Sequence, residues 1–224
     1  CEFIEVSVDL KTADESGQDV DDSWDHWLFS VDADAELDGE EAYKSYEYNM
    51  SFSADRVTPE MKFSFSVRGD LEEDEYELDS GTFRSSSDSW RTNLLLVKSI
   101  TDHWSWGGFV SANSSTFSNN KFTANVAPAL EFNVFPYSES TYHELRLLYR
   151  NGFRRATYHE RTIYNKLEEN LWYESLSATL ELKRQWGSIT ASLSGSHFFH
   201  DFSKNNISFW GRLNLRIVEG LSVN

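Results

Sequence analysis

The chain has few cysteines, few cations and no long apolar run, and each of these shortages excludes a class of protein or partner. It contains a single cysteine, Cys1, so it can form neither an internal disulfide nor a thiolate metal cluster. Lysine and arginine total 20 against 37 acidic residues, a net charge of −17. Phosphate binding needs clustered cations, which excludes nucleic acid as a partner. The longest aliphatic run, Leu94–Val97, is far shorter than the roughly 20 apolar residues of a membrane-spanning helix, so a helical membrane protein is excluded.

The N-terminus has no charged and then apolar leader, so we expect the sequence to represent a mature chain. Residues 1–25 are acidic and rich in turn formers, and we interpret them as a periplasmic lead-in or linker before one domain, residues 26–224. A mature chain that begins with cysteine is typical of a lipid-anchored bacterial lipoprotein. The other interpretation is that Cys1 marks only where the sequence was cut, and both stay open.

From Trp27 onward apolar and polar residues alternate, which predicts half-buried β-strands. The pattern predicts ten strands and the beginning of an eleventh at Leu221, with a local break in pairing at Pro128. Connections after even strands are short, whereas 72–89 and 152–170 are predicted as long loops. Short turns on one rim and long loops on the other are typical of outer-membrane barrels, whose short turns face the periplasm. This parity predicts a periplasmic N-terminus.

Period two alone does not say which face meets water, but three features favour an apolar exterior. The polar positions are mostly Ser, Thr and Asn, whereas a water-facing surface is richer in Lys and Glu. About five apolar residues per strand match a hydrocarbon band of about 25 Å. Aromatic residues gather at the strand ends, as they do at membrane interfaces. We therefore predict an all-β, antiparallel up-and-down transmembrane β-barrel of 10–12 strands in the bacterial outer membrane.

The predicted orientation, with the apolar side outward, defines two sets of candidate residues. The candidates to line the interior are charged residues at polar positions: Asp32, Asp34, Glu36, Glu47, Asp55, Lys62, Arg68, Glu131, Arg146, Arg150, Arg212 and Arg216. The candidates for the membrane interface are Trp27, Trp104, Trp106, Tyr137 and Trp186 beside short turns, and Trp90 and Trp172 toward the long loops. The charged set forms either a cation-selective lining or a salt-bridged network that fills a narrow interior.

Four segments resemble a known protein family: GEEAYKSYEYNMSFSADRVTPEMKFSFSV, ITDHWSWGGFVSANSSTF, VAPALEFNVFPYSEST and LELKRQWGS. They are similar to segments of uncharacterised, porin-like bacterial outer-membrane β-barrel proteins, over roughly Asp22 to Asn224. The resemblance implies a barrel and a membrane location, and it brings no catalytic or binding residues. Such barrels usually end on a strand with a terminal aromatic residue, whereas this chain stops at Ser222-Val223-Asn224. Because single-chain bacterial barrels have even strand numbers, we expect a truncated barrel of about twelve strands.

Other polar clusters have two interpretations each. The acidic run 71–79 either binds Ca²⁺ or bridges to lipopolysaccharide, or it is a solvated loop. The basic segment with Arg154, Arg155, Arg161 and Lys166 either contacts lipid phosphates or is likewise a solvated loop. His200-Asp201 and His159-Glu160 resemble half of a rim-type hydrolase site, and His197 is the histidine that a lipase-like site on the outer wall would need.

We expect no catalytic site, cofactor or transition-metal site, because the six histidines lack close ligand spacing apart from His197 and His200. The leading hypothesis is a non-enzymatic outer-membrane barrel that serves as a narrow pore, a membrane anchor or a subunit of an envelope complex. Its expected partners are the lipid bilayer, lipopolysaccharide and an envelope protein. The alternatives are a soluble β-barrel that binds a small apolar ligand and a rim-site outer-membrane hydrolase.

Overall fold

The protein is an all-β chain in the computed structural model, which describes residues 6–7, 24–78, 81–218 and 221–223, with side chains for 24–78 and 81–215. Ten long strands are flanked by two short ones. They are β1 Val6–Ser7, β2 Trp27–Gly39, β3 Tyr43–Val57, β4 Met61–Leu78, β5 Gly81–Ser99, β6 Trp104–Ser115, β7 Asn120–Asn133, β8 His143–Tyr158, β9 Glu168–Arg184, β10 Gly187–Phe198, β11 Asp201–Val218 and β12 Leu221–Val223. A 3₁₀ turn, Tyr137–Glu139, lies between β7 and β8. Among the described residues no helix is long and apolar enough to cross a membrane.

Each strand pairs in antiparallel fashion with the next one in the chain, so the strand order of the single sheet is the sequence order. The predicted antiparallel up-and-down arrangement is therefore confirmed. A ladder that joins the first strands to the last ones is not among the described pairings, which run from β1 to β12 without returning. Over the described residues the sheet thus has two edges.

The pairing register places the apolar residues of successive strands on one side of the sheet. Directly opposed residues share a face. One row of such residues runs from β2 to β9 through Phe29, Ala54, Phe65, Leu94, Val110, Val126, Phe153 and Trp172. A second row runs from β6 to β11 through Trp104, Phe132, Leu147, Ala178, Leu193 and Phe209. We call this side of the sheet the apolar face.

The opposite side, the polar face, is equally continuous. One of its rows crosses seven strands through Ser30, Ser53, Ser66, Asn93, Ser111, Asn125 and Arg154. The facing that alternation predicts within each strand is therefore maintained from strand to strand. A slip of one residue in any ladder would have broken both faces.

Burial is inverted relative to an ordinary soluble sheet in the middle of the structure. On β7 the apolar-face residues Val126 and Leu130 are 51% and 42% exposed, while Ala127 and Asn133 on the polar face are 1% and 2% exposed. The polar face is thus the sheltered side there. At the two ends of the sheet, β2 and the described part of β11 are largely exposed on both faces. Side chains of the polar face are therefore more buried in the central strands than near the edges of the sheet.

The predicted long loops are wrong in both places. Residues 72–89 belong to a hairpin in which β4 and β5 stay paired from Met61↔Lys98 to Leu78↔Gly81. Tyr76 contacts Phe83, and Arg84 pairs with Glu75 at 3.0 Å, so cross-strand contacts extend the ladder through an acidic segment. Likewise β8 continues to Tyr158, which leaves only 159–167 as a loop and places Arg154 and Arg155 in a strand. The hairpin β4–β5 therefore extends one rim of the sheet further than the short turns extend the other.

Pro128 disturbs the sheet as predicted. Pro128 pairs with Gly108 of β6, but the β7–β8 ladder has no paired residues between Val126↔Phe153 and Ala129↔Arg150. Proline has no N–H to donate to that neighbour.

The ends of the chain are described only in part. The lead-in predicted for residues 1–25 lies mostly outside the described residues, as does Cys1, and one of its described pieces, Val6–Ser7, pairs with Ala33 and Asp32. The strand predicted to begin at Leu221 is confirmed as β12.

Candidate functional site

The predicted interior acids all occupy the polar face. Glu36 lies opposite Glu47, which in turn lies opposite Glu72 of β4, so three carboxylates form a row across three strands. Ser51 donates a hydrogen bond of 3.0 Å to Asp32. Carboxylates directly opposite one another repel, and they give this end of the polar face a strong negative potential. Asp34 and Asp55 lie on the same face, opposite Asn49 and Ser64 respectively.

The two predicted cations of β4 do not neutralise these acids. Arg68 donates from Nε to Asp70 of its own strand at 2.8 Å and reaches Asn49 with a second nitrogen at 3.5 Å. Lys62 has the right facing, opposite Val57 and Val97, but makes none of the ion pairs in the described part of the chain. The salt-bridged network predicted for β2 to β4 is therefore not formed there, and the acidic row is left uncompensated by β4.

Arg146 is the predicted cation that does enter an acidic cluster. Its Nε lies 3.4 Å from Glu144 and 3.9 Å from Glu131. The Tyr137 hydroxyl, in the turn outside the strands, donates to Glu131 at 3.4 Å. Burial of the phenol, together with the charge of the Glu131 carboxylate, raises the pKa of Tyr137. This cluster lies on the polar face beside the β7–β8 connection.

Arg150 contacts an aromatic ring and makes no described ion pair. Its guanidinium carbon lies 4.6 Å from the Phe109 ring centroid, and its buried Nε has no hydrogen-bond partner. Cation–π contacts of this kind strengthen when they are shielded from water. Phe109 was not singled out by sequence reasoning, because its position in an apolar-looking strand does not reveal that it faces inward.

A tyrosine that faces inward, Tyr173, covers Gly152 of β8. A Cβ added at Gly152 would lie 2.2 Å from Cζ of Tyr173, so the ring lies directly over the glycine. The Tyr173 hydroxyl donates to Asn125 at 2.8 Å, and the Arg154 guanidinium lies 5.7 Å from its ring centroid. Tyr173 resembles an interface aromatic in the sequence, but the register assigns it to the polar face. Its pairing with Gly152 agrees with that face.

A cavity of about 320 Å³ lies on the polar face next to this tyrosine, and residues of β6, β7, β8 and β9 line it. Hydroxyls and amides line most of it, from Ser111, Asn113, Thr123 and Asn125, and Arg154 supplies the one arginine. Glu169 also lines it and accepts a hydrogen bond from Tyr158. The volume is within the range of small-molecule sites.

The remaining interior candidates lie near the edge. Arg212 is exposed on the polar face of β11, opposite Thr190. Arg216 lies in the same strand, but its side chain is outside the described residues.

The predicted interface aromatics occupy two levels. Trp27 stacks on Phe29 with 5.6 Å between ring centroids, and Trp104 packs against Phe132 at 4.7 Å; both lie toward the short turns. At the other end, Trp90 and Trp172 contact Phe122 and Phe153 at 6.2 and 5.0 Å. Trp106 is on the apolar face, opposite Leu130, and Trp186 is in the turn between β9 and β10. Tyr137 points instead to the polar face, through its contact with Glu131.

One polar cluster interrupts the apolar face, and sequence reasoning missed it. Glu174 accepts hydrogen bonds from the Tyr149 hydroxyl and from His197 Nε2, both at 2.7 Å. All three residues occupy apolar-face positions of β8, β9 and β10. The alternation did contain the signal, since Glu174 falls between Trp172 and Leu176 in the apolar register.

The histidine pairs considered for a rim hydrolase have other surroundings. Asp201 accepts a 2.6 Å hydrogen bond from Ser203 and lies 3.8 Å from Lys204. Glu160 is held through its backbone N–H by Asn119. His197 has a carboxylate partner, yet its described hydrogen bonds include no serine. Within the described ranges no group of three or more His, Cys, Asp and Glu side chains is placed to hold a metal ion.

Comparison with known proteins assigns no relationship. No protein-family model, no curated protein and no solved structure matches the chain.

Proposed function

We propose that the chain is the membrane-embedded part of a non-enzymatic bacterial outer-membrane β-barrel. In this proposal the apolar face contacts lipid and lipopolysaccharide, and the polar face lines a narrow interior. The barrel serves as a narrow pore, a membrane anchor or a subunit of an envelope complex with a protein partner. The observation that carries the proposal is the inverted burial of the central strands, together with an apolar face whose register continues from β2 to β11.

The extent of that face is too large for a water-soluble monomer. Contiguous apolar patches on soluble monomers rarely exceed a few hundred Å². Here large exposed apolar side chains recur from β2 to β11, including Val31, Met50, Val126, Leu193 and Phe209. The alternative of a soluble barrel with an apolar ligand needs these residues on the sheltered side. The burial on β7 favours the opposite arrangement.

The height of the apolar face matches a bilayer. On β7 the two aromatic levels are represented by Phe122 and Phe132, ten residues apart. At about 3.3 Å per residue this is roughly 33 Å along the strand. A strand tilt of about 40° reduces it to roughly 25 Å, the height of the apolar band in outer-membrane barrels.

Membrane insertion makes a demand on the sheet edges. Lipid offers no hydrogen-bond partner to unpaired backbone groups, so a spanning sheet needs its edges satisfied. The proposal therefore includes closure in the membrane, where the two edges pair with each other or with further strands. Exposure of β2 and β11 on both faces fits strands that still await such partners.

The interior favours a narrow passage over a wide channel. Arg150 on Phe109 and Tyr173 over Gly152 place bulky side chains on the polar face of the central strands. Small barrels commonly fill their interior with such side chains. Any pore is thus expected to be restricted near β6 to β9.

The test is to express the chain with an export signal, fractionate the cell envelope and compare boiled with unboiled samples on a gel. We expect outer-membrane fractionation and a mobility that changes on boiling. Recovery as a monomer that stays in solution without detergent would refute the proposal and favour the ligand-binding alternative. Conductance in planar bilayers then distinguishes a pore from an anchor.

A further inference from the structure

The cavity on the polar face holds one cation, Arg154, and one carboxylate, Glu169, among neutral hydrogen-bonding groups. Ser111, Asn113, Thr123 and Asn125 contribute hydroxyls and amides, and Arg154 contributes a guanidinium. Apolar groups contribute little to the lining. The cavity thus suits a ligand with several hydroxyl groups whose negative charge lies at the Arg154 end, away from Glu169, and does not suit an apolar ligand.

Arg154 is placed for such a charge. Among the arginines of β8, Arg146 and Arg155 make the described ion pairs, while Arg154 contacts the Tyr173 ring. Glu169, the acidic residue of the lining, accepts a hydrogen bond from Tyr158. The Arg154 fork therefore keeps donors for a ligand carboxylate, which it can bind with two parallel hydrogen bonds.

The support of Arg154 is rigid. Tyr173 lies under the guanidinium, its hydroxyl is fixed by Asn125, and its ring fits against Gly152 without a side chain between. A charged group that packs on a ring held in place loses less freedom when a ligand binds than one that is unsupported. The site is therefore preorganised.

We propose that this cavity binds a hydroxylated carboxylate of monosaccharide size, of the hexuronate class. The inference rests on the proposed function, because the cavity then becomes a solute subsite inside the barrel. Arg154 binds the carboxylate, and the amides and hydroxyls of Asn113, Thr123 and Ser111 bind the ring hydroxyls.

The experiment measures binding of glucuronate and glucose to the detergent-solubilised full chain by isothermal titration calorimetry. We expect glucuronate to bind at least about tenfold more tightly than glucose, since a charge-assisted hydrogen bond contributes that much. Arg154→Gln abolishes the preference. Arg155→Gln leaves it unchanged, because Arg155 is the adjacent residue on the opposite face and pairs with Glu168.

Arg154→Lys keeps the charge and loses the fork, so it retains a reduced preference for glucuronate even where Arg154→Gln does not fold. The proposal is overturned by equal affinity for the two sugars, by equal losses in Arg154→Gln and Arg155→Gln, by an Arg154→Lys protein without preference, or by no binding. Boiling-dependent mobility of the same samples reports the barrel separately. An absent mobility shift beside intact glucuronate binding counts against the barrel alone.

Discussion

The ring of Tyr173 occupies the space that a side chain at Gly152 would fill, with 2.2 Å between its Cζ and a Cβ built on the glycine. The two residues face each other across the β8–β9 ladder on the polar face. A glycine in a strand marks a close approach of another group, and an aromatic ring that covers it recovers packing. The pair anchors the interior of the central strands.

Replacement of Gly152 by alanine is expected to destabilise the protein by about 1–3 kcal/mol, the usual cost of overpacking. Tyr173 has to move, and its hydrogen bond to Asn125 is lost. The measurement is the denaturant midpoint of folded protein in detergent, read from the unboiled gel band.

The matched control for that change is Gly195→Ala, because a Cβ at Gly195 meets nothing within 4 Å. We expect a midpoint equal to or above that of the unmodified chain. Equal losses in the two alanine variants would show that the ring does not depend on Gly152.

A charge on the apolar face is expected to block membrane assembly. Leu193 is exposed on the apolar face and Ser194 follows it on the polar face, opposite Ser208. Leu193→Arg is expected to cost about 2–4 kcal/mol near the bilayer centre, whereas Ser194→Arg is tolerated. The yield of folded protein in the outer-membrane fraction measures both. Equal yields, or a better yield for Leu193→Arg, would mean that the apolar face does not meet lipid.

The polar cluster on the apolar face is expected to respond strongly to single changes. Glu174→Leu leaves the Tyr149 hydroxyl and His197 without their shared acceptor, and His197→Phe leaves Glu174 with one donor fewer. Each single variant is expected to lower the denaturant midpoint. The double variant recovers most of the loss, because removal of a whole polar pair is far less costly than removal of one partner. Additive losses would show that the pair is not coupled.

Sequence reasoning was most successful where a physical constraint acts at short range. Alternation alone specified which face Val126 and Ala127 occupy, because neighbouring residues of a strand point to opposite sides. It failed for the hairpin around Tyr76 and Phe83, where acidic residues resembled a loop although cross-strand contacts keep them paired. Polarity of a short segment says little about pairing when its partner strand is equally polar.

The site itself was only partly predictable. Arg150 was expected to face inward, but its contact with Phe109 depends on the register between β6 and β8, which are not neighbours in the chain. The same holds for Glu174 and His197, which are 23 residues apart and opposed across a ladder. Long-range register is set by all the ladders together and cannot be obtained from one strand at a time.

The acidic row is expected to set the ion preference of any pore. Glu36, Glu47 and Glu72 lie opposite one another on the polar face, without compensation from Lys62. Their replacement by glutamine is expected to reduce the preference for cations in planar bilayers, measured as a reversal potential under a salt gradient. Replacement of Glu40 and Glu41 by glutamine, in the connection between β2 and β3, is the control for the double replacement of Glu36 and Glu47, because each removes two charges. Equal shifts of the reversal potential in the two variants would show that the acidic row does not line the ion pathway.

The most direct measurement of the central proposal is a scan of single cysteines along β7, in a chain with Cys1 replaced by serine. Each cysteine carries an environment-sensitive fluorophore in lipid vesicles that contain a brominated lipid as quencher. We expect quenching at Ala124, Val126 and Leu130 and little quenching at Thr123, Asn125 and Glu131, a period of two that follows the apolar face. Quenching at the polar-face positions, or at none of the six, would contradict the assignment of the apolar face to lipid.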